Sequence, residues 1–147
     1  MSCIRFNTPA QLAQMRAMAP AMLTSEQVAA KHPAPVWTES KLRRLRILAE
    51  HKNPKIRESV ASSYHTPDDV MEALARDSDE GVRACVARNE TASCDILRSL
   101  ADDESERVRG FLAVNYFVPE DAMERLENDP SETVRALASW KAALATA

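Results

Sequence analysis

The sequence predicts an all-α protein in which pairs of short helices stack into an α-solenoid. First, the 147 residues contain only two glycines, whereas β-sheets need glycine at hairpin turns and bulges. Second, only 5% of the residues are aromatic, while alanine, leucine, arginine and glutamate, which favour helices, are abundant. Third, the C-terminal two-thirds of the chain repeats every 26 residues, which is typical of repeat architectures.

The length favours one structural domain. A chain of 147 residues that is 45% hydrophobic can bury a single core without disulfides or metals. We expect a non-repeating helical cap over residues 1–41 and a repeat array over residues 42–147. The cap is expected to cover the apolar end of the array, as the terminal unit of a solenoid must.

Three helices are predicted at the N-terminal end. A threonine–proline start places the first over about residues 8–18, and a capping box begins the second at about residue 24. The third runs from Thr38 or Glu39 to Glu50, and its end is in register with the second helix of a later copy. The third helix therefore leads directly into the repeats.

The repeat is defined by residues that recur at a spacing of 26 without insertion. The copies begin at Leu48, Leu74, Leu100 and Leu126. An aliphatic residue followed by arginine recurs as Ile56-Arg57, Val82-Arg83, Val108-Arg109 and Val134-Arg135. The last copy is truncated after its first helix.

Each copy is predicted to form two short helices. The first begins near Asp79, Ser105 or Ser131, whose side chains can accept hydrogen bonds from exposed helical N–H groups. The second begins at Thr66, which is followed by a proline and two carboxylates. Because one helix pair cannot bury both of its apolar faces, the copies must stack on one another.

Residues 74–89, which read LARDSDEGVRACVARN, resemble the leucine-rich repeat variant family of HEAT-like α-solenoids. That family follows roughly the pattern L-A-x-D-x-D-x-x-V-R-x-x-V-A-x-N-P-x-T-P-x-x-x-L, and residues 48–147 match it over three copies and part of a fourth. The resemblance implies stacked α-helices and short α or 3₁₀ helices, and a bacterial source. The best-known type has a cysteine-rich iron–sulfur segment, but only Cys3 precedes the repeats here, so no cofactor is expected.

The repeated arginines are expected to have a structural role. The aspartates Asp77, Asp103 and Asp129 lie six residues before Arg83, Arg109 and Arg135. In HEAT-like solenoids such columns form a ladder between neighbouring copies, and the planar guanidinium suits this bidentate role. The first copy has His51 in the aspartate column, so Arg57 is predicted to lack its acid and to be available to a ligand.

No catalytic or metal-binding motif is recognised. The cysteines, Cys3, Cys85 and Cys94, are odd in number and lack the spacing of a zinc site or a disulfide framework. The histidines, His32, His51 and His65, lie in unrelated segments, and no glycine-rich phosphate loop is present. We expect neither an enzyme nor a bound metal. The sequence shows neither an apolar membrane span nor an export signal, so a cytoplasmic protein is expected.

Aromatic residues in the turns between paired helices are candidates for partner binding. The family usually carries proline or polar residues there, whereas this chain has Tyr64 and His65 in one turn and Tyr116 and Phe117 in another. Exposed tyrosine and phenylalanine often anchor protein interfaces. The alternative is that the rings fold back over the apolar ends of the helices.

Charge is distributed unevenly along the chain, with a net +7 over residues 1–57 and −10 over residues 58–147. The acidic repeats favour a basic protein or peptide as partner, so the preferred function is a non-catalytic protein-interaction module. One alternative is nucleic-acid binding through the basic stretch 41–57, and another is head-to-tail self-association of the oppositely charged ends. The candidate anion contacts in this stretch are Arg43, Arg44, Lys52, Lys55 and Arg57.

Overall fold

The computed structural model describes residues 38–146 and, outside that range, Ala13. The described residues form eight helices joined by turns and contain no strand, which confirms the all-α class. The predicted cap over residues 1–41 lies outside the described residues except for its last four positions and Ala13. The finer prediction, a solenoid closed by a cap, stays a prediction.

Two helices correspond to each 26-residue copy. The bounds are α1 Glu39–Ala49, α2 Pro54–Ala61, α3 Asp68–Leu74, α4 Glu80–Arg88, α5 Cys94–Leu100, α6 Glu106–Val114, α7 Glu120–Glu127 and α8 Glu132–Thr146. The even-numbered helices carry the aliphatic–arginine motif, and the odd-numbered helices carry the leucine that begins each copy. The third predicted N-terminal helix is α1, which ends one residue before the predicted Glu50.

The even-numbered helices form a continuous row, in which α2 packs against α4, α4 against α6, and α6 against α8. Each odd-numbered helix packs against the even-numbered helices that precede and follow it in the chain. Direct contacts also join α1 to α3 and α5 to α7. Equivalent surfaces of successive copies therefore meet along the row.

The repeat columns supply the hydrophobic core. The fully buried members include Leu74, Leu100 and Leu126 of one column, Val82, Val108 and Val134 of a second, and Val86 and Leu112 of a third. Burying one such side chain stabilises a fold by about 1.5–3 kcal/mol. Because these residues are spaced three or four positions apart within a helix, they form one apolar face that a neighbouring copy covers.

Four of the eight described helices begin with a side-chain cap, from Asn53, Asp79, Ser93 and Ser131. Asp79 accepts hydrogen bonds from the backbone N–H groups of Gly81 and Val82, as predicted for the start of α4. Two predicted caps are wrong. The Thr66 hydroxyl donates to the Val60 carbonyl at 2.6 Å, and Pro67 occupies the N-cap position of α3. The Ser105 hydroxyl donates to Glu80 instead of accepting from its own helix. In both cases the hydroxyl bonds to an acceptor in a different helix.

Candidate functional site

An ion-pair ladder runs along the row of even-numbered helices, and we call it the arginine ladder. The Nε–Oδ2 distances are 2.6 Å for Arg57–Asp77, 2.8 Å for Arg83–Asp103 and 2.6 Å for Arg109–Asp129. In every pair a second bond from Nη2 to Oδ1 makes the contact bidentate. The third nitrogen, Nη1, donates to the carbonyl of the residue six positions earlier, which is His51, Asp77 or Asp103. Each arginine therefore joins its own copy to the next one.

Both members of the ladder pairs are largely buried, and the pKa shifts follow from that environment. Burial alone would raise the pKa of Asp129, but the bonds from Arg109 and from the Ser131 amide outweigh it and hold that pKa below its usual value. The pKa of Asp77 is lowered by the same balance. Asp77 and Asp129 are therefore charged at neutral pH, so their ion pairs contribute to stability there.

The prediction that Arg57 lacks an acid is wrong. The Arg57 guanidinium donates to the carboxylate of Asp77, which lies 20 residues later in the following copy. From His51, six residues earlier, it contacts only the backbone carbonyl. The arginine without a carboxylate is therefore at the other end of the ladder. Arg135 donates only to the carbonyls of Asp129 and Pro130 among the described residues, and it is exposed.

A second ladder, which the sequence reasoning missed, joins the C-terminal ends of the even-numbered helices. Asn89 donates to Ala61 and Ser63 carbonyls at 2.7 and 3.0 Å, and Asn115 donates to Ala87 and Asn89 carbonyls at 2.7 and 3.2 Å. Lys141 occupies the same column in the last copy, and its Nζ donates to the Asn115 carbonyl. Burial lowers the pKa of Lys141 to about 8. The signal was present, because Asn89 and Asn115 are spaced by 26 residues.

The aromatic turn residues are partly exposed. Tyr64 is 63% exposed and Phe117 46% exposed, and His65 is also exposed. Tyr116 is half-buried, and its ring lies 5.9 Å from that of Phe117 in a tilted arrangement. The exposure of Tyr64 and Phe117 is therefore that expected of partner-binding residues, whereas the half-buried Tyr116 agrees with the alternative, a ring folded back over the helix ends.

These aromatic side chains do not form one cluster. Tyr64 and Tyr116 are 52 positions apart, which is two copies. Since packed helices lie about 10 Å apart, the two turns are separated by about 20 Å along the row. The turn between them, at residues 89–93, contains no aromatic residue. A partner would have to span both turns to contact Tyr64 and Phe117 together.

The basic stretch is partly occupied by internal ion pairs. Arg57 is paired with Asp77, and Lys55 Nζ lies 2.7 Å from Glu58. Arg43, Arg44 and Lys52 are exposed. Among the five candidate anion contacts, Lys55 and Arg57 thus form ion pairs, and the other three form none with a described residue.

A groove of about 600 Å³ crosses the outer surface of α6 and α8 and reaches the start of α4. Its floor is apolar and consists of Gly110, Phe111, Val114 and Leu137. The charged residues that line it are Glu80, Glu106 and Arg107, and Arg107 forms an ion pair with Glu80. The sequence analysis did not predict this groove.

The described residues hold no cluster of three or more histidine, cysteine, aspartate or glutamate side chains arranged for a metal ion. Cys85 is half-buried and Cys94 exposed, and each is a free thiol. None of the described helices combines the length and the apolar character that a membrane crossing requires.

Comparisons of the chain with protein-family models, with curated proteins and with solved structures found no match.

Proposed function

We propose that this chain is a non-catalytic, cytoplasmic protein-interaction module, a short α-solenoid of the leucine-rich repeat variant type. The observation that carries the proposal is the exposure of Tyr64 and Phe117 at the turns of a helix array. Large rings on rigid turns lose little conformational entropy on binding, and aromatic residues are enriched among interface hot spots. The residues that recur every 26 positions support the solenoid type, since no family model matches the chain.

The two ladders support the view that the surface is rigid. Three bidentate ion pairs join successive copies on one side, and the side chains of Asn89, Asn115 and Lys141 join them on the other. Each rung fixes one copy relative to the next at two edges. A preorganised surface binds without a large ordering cost, which is what a recognition scaffold requires.

Charge favours a basic partner. The segment 58–147 carries ten more acidic than basic residues, and the ladder pairs neutralise as many arginines as aspartates. The surplus of negative charge therefore lies outside the ladder. Electrostatic complementarity would speed association with a basic protein and discourage acidic ones.

The experiment is affinity capture from the lysate of the native host, with nuclease-treated and untreated samples. The variant Tyr64→Ala/Phe117→Ala is expected to lose the partner because both anchors are truncated. Ile47→Ala is the matched control, since Ile47 is a large apolar residue that is 65% exposed but lies within helix α1 and not in a turn. Circular dichroism checks that all variants are folded.

Two results would contradict the proposal. If the aromatic variant recovers as much partner as wild type, the aromatic turns are not the docking site. The same conclusion follows if Ile47→Ala loses the partner to the same extent. Material that disappears on nuclease treatment, with affinity that falls steeply as salt rises, instead favours nucleic acid at Arg43, Arg44 and Lys52. Sedimentation of the chain alone at low salt tests the remaining alternative, head-to-tail self-association.

A further inference from the structure

The last rung of the arginine ladder is half formed. Arg135 Nη1 donates to the Asp129 carbonyl at 2.6 Å and to the Pro130 carbonyl at 3.0 Å. In the three complete rungs Nη1 holds the corresponding carbonyl in the same way, at 2.7 or 2.8 Å. The Arg135 guanidinium is therefore anchored as in a complete rung, but its Nε and Nη2 have no hydrogen-bond acceptor among the described residues.

The surface beside Arg135 corresponds to a face that the next copy covers elsewhere in the array. Ala84 and Ala87 of α4 are buried, and α6 packs against that helix. The equivalent residues of α8, Ala136 and Ser139, are exposed together with Arg135, and no described helix follows α8. The end of the row thus presents an arginine and small residues in the arrangement that one copy uses to receive the next.

The acid that completes a rung has a constant setting. In Asp77, Asp103 and Asp129 one carboxylate oxygen also accepts the backbone amide two residues later, at 2.8 or 2.9 Å. Each of these aspartates lies three residues before the first residue of a helix. This local bond fixes the carboxylate in an Asx turn, so the chain itself defines the ligand of a ladder arginine as an aspartate held just before a helix.

A second copy of this chain does not offer that aspartate at the start of its array. His51 has the position of the ladder aspartate in the first copy, and its Nδ1 accepts the Asn53 amide at 3.0 Å. The same turn is therefore formed with an imidazole in place of a carboxylate. A second molecule stacked in register would bring His51 to Arg135, where the guanidinium fork needs an acid.

We propose that the Arg135 end of the ladder binds a helix of a partner protein that carries an aspartate three residues before its first helical residue. The carboxylate accepts hydrogen bonds from Nε and Nη2 as a bidentate pair, and the helix lies across Ala136 and Ser139. This inference rests on the proposed function, protein interaction, and adds a second surface to it. One aspartate before a helix is compatible with a partner whose net charge is positive.

The experiment measures the fluorescence anisotropy of a labelled synthetic peptide in the presence of the full chain. The peptide has the sequence of residues 102–128, the copy that covers Arg83 within the array. A second peptide carries Asp103→Asn, which removes the charge and keeps the shape. The aspartate peptide is expected to bind at least about tenfold more tightly than the asparagine peptide, because only a carboxylate forms the charge-assisted bidentate pair.

Arg135→Gln is the decisive variant. It is expected to bind the two peptides with equal affinity, because the difference between them depends on the guanidinium. Arg44→Gln is the matched control, since it removes the same charge from an exposed side chain of α1, and it is expected to keep the full difference. Thermal unfolding checks that both variants fold.

A second pair of variants tests the face without changing its charge. Ser139→Phe places a ring where α4 and α6 have a buried alanine, and it is expected to weaken the aspartate peptide by about tenfold, as overpacking of an interface does. Thr133→Phe adds the same ring at an exposed position of α8 whose equivalent in α6, Arg107, stays exposed. This control is expected to leave the affinity unchanged.

Four results would overturn the proposal. Three concern the peptides: no binding of the aspartate peptide, equal affinity of wild type for both peptides, or a difference that survives in Arg135→Gln. The fourth is a dimer of the full chain, detected by sedimentation and abolished by Arg135→Gln, which would make a second copy the occupant. Capture through Tyr64 and Phe117 is measured with other variants, so the two proposals fail separately.

Discussion

At the scale of single residues, the arginine ladder shows how much one side chain connects. Arg109 bonds the Asp129 carboxylate through two nitrogens and the Asp103 carbonyl through a third. Arg135 has the same position in the last copy, but among the described residues it bonds only carbonyls. The repeat thus contains its own control, one arginine with the carboxylate and one without.

Arg109→Ala is expected to lower the free energy of unfolding by about 2–4 kcal/mol, because Asp129 is left buried without its cation. The Asp129 side chain is only 3% exposed, so water replaces the lost partner poorly. Arg135→Ala is expected to cost about 1 kcal/mol or less, the value of hydrogen bonds to carbonyls at an exposed site. Urea unfolding of both variants measures this difference. Equal losses would mean that the carboxylate pair adds nothing to the carbonyl bonds.

The predicted ladder contained its three aspartates and two of its arginines, but it left out Arg57 and included Arg135, which has no carboxylate partner among the described residues. Aspartate and arginine are six positions apart within a copy and 20 positions apart between copies, and both spacings recur identically along the chain. A repeat pattern cannot distinguish the two spacings. In the structure the arginine bonds the carboxylate 20 residues later and only the backbone carbonyl six residues earlier, as Arg83 does with Asp103 and Asp77. The error about Arg57 follows directly, because the missing aspartate was sought on the wrong side.

At the scale of helices, the odd-numbered row is joined unevenly. Arg46 bridges α1 to Asp69 of α3 at 3.1 Å, and Arg98 bridges α5 to Asp121 of α7 at 2.8 Å. At the junction between α3 and α5, the position equivalent to Arg46 is Glu72, and the position equivalent to Asp69 is Asp95. Both acids line a cleft of about 260 Å³. Two carboxylates thus replace the ion pair at this junction.

Glu72→Arg is expected to supply the missing bridge between α3 and α5. In a double-mutant cycle with Asp95→Ala, the coupling is expected to be favourable by about 0.2–1 kcal/mol, as for an exposed ion pair. The cycle removes the separate effect of losing the Glu72–Arg76 pair. Glu72→Gln, which only relieves the repulsion between the two carboxylates, is expected to show a smaller favourable coupling with Asp95 than Glu72→Arg does. Coupling in that control as large as with arginine would contradict a charge bridge.

The helices themselves were more predictable than the contacts between them. Proline, capping residues and apolar spacing are local signals, and they predicted the start of α4 at Asp79 and the end of α1 within one residue. The asparagine column and the groove were missed for a different reason. Asn89 and Asn115 recur at the repeat spacing, but their acceptors are backbone carbonyls, which every residue has, so the spacing alone does not identify the partner. The groove is lined by residues from more than one helix, so it depends on how those helices pack.

At the scale of the whole molecule, buried ionisable groups shape the dependence of stability on pH. The ladder aspartates Asp77 and Asp129 have lowered pKa values in the folded chain. Their stabilising contribution is complete above the unfolded pKa of 3.8 and is lost as pH falls through the lower folded values. The ladder therefore strengthens the fold at neutral pH, and because its aspartate partners also raise the pKa of its arginines, it keeps doing so until arginine itself loses its proton.

The alkaline side depends on Lys141, whose pKa falls from 10.5 to about 8 on burial. Between these values the unfolded chain holds a proton that the folded chain has released, so the free energy of unfolding is expected to rise with pH. The rise is at most about 3 kcal/mol, since the bond to the Asn115 carbonyl favours the charged amine. Lys141→Met removes the titrating group while keeping a long apolar side chain. Urea unfolding at intervals from pH 7.5 to 10 should therefore show wild type gaining stability relative to Lys141→Met, whereas parallel curves would mean that Lys141 keeps its proton within the fold.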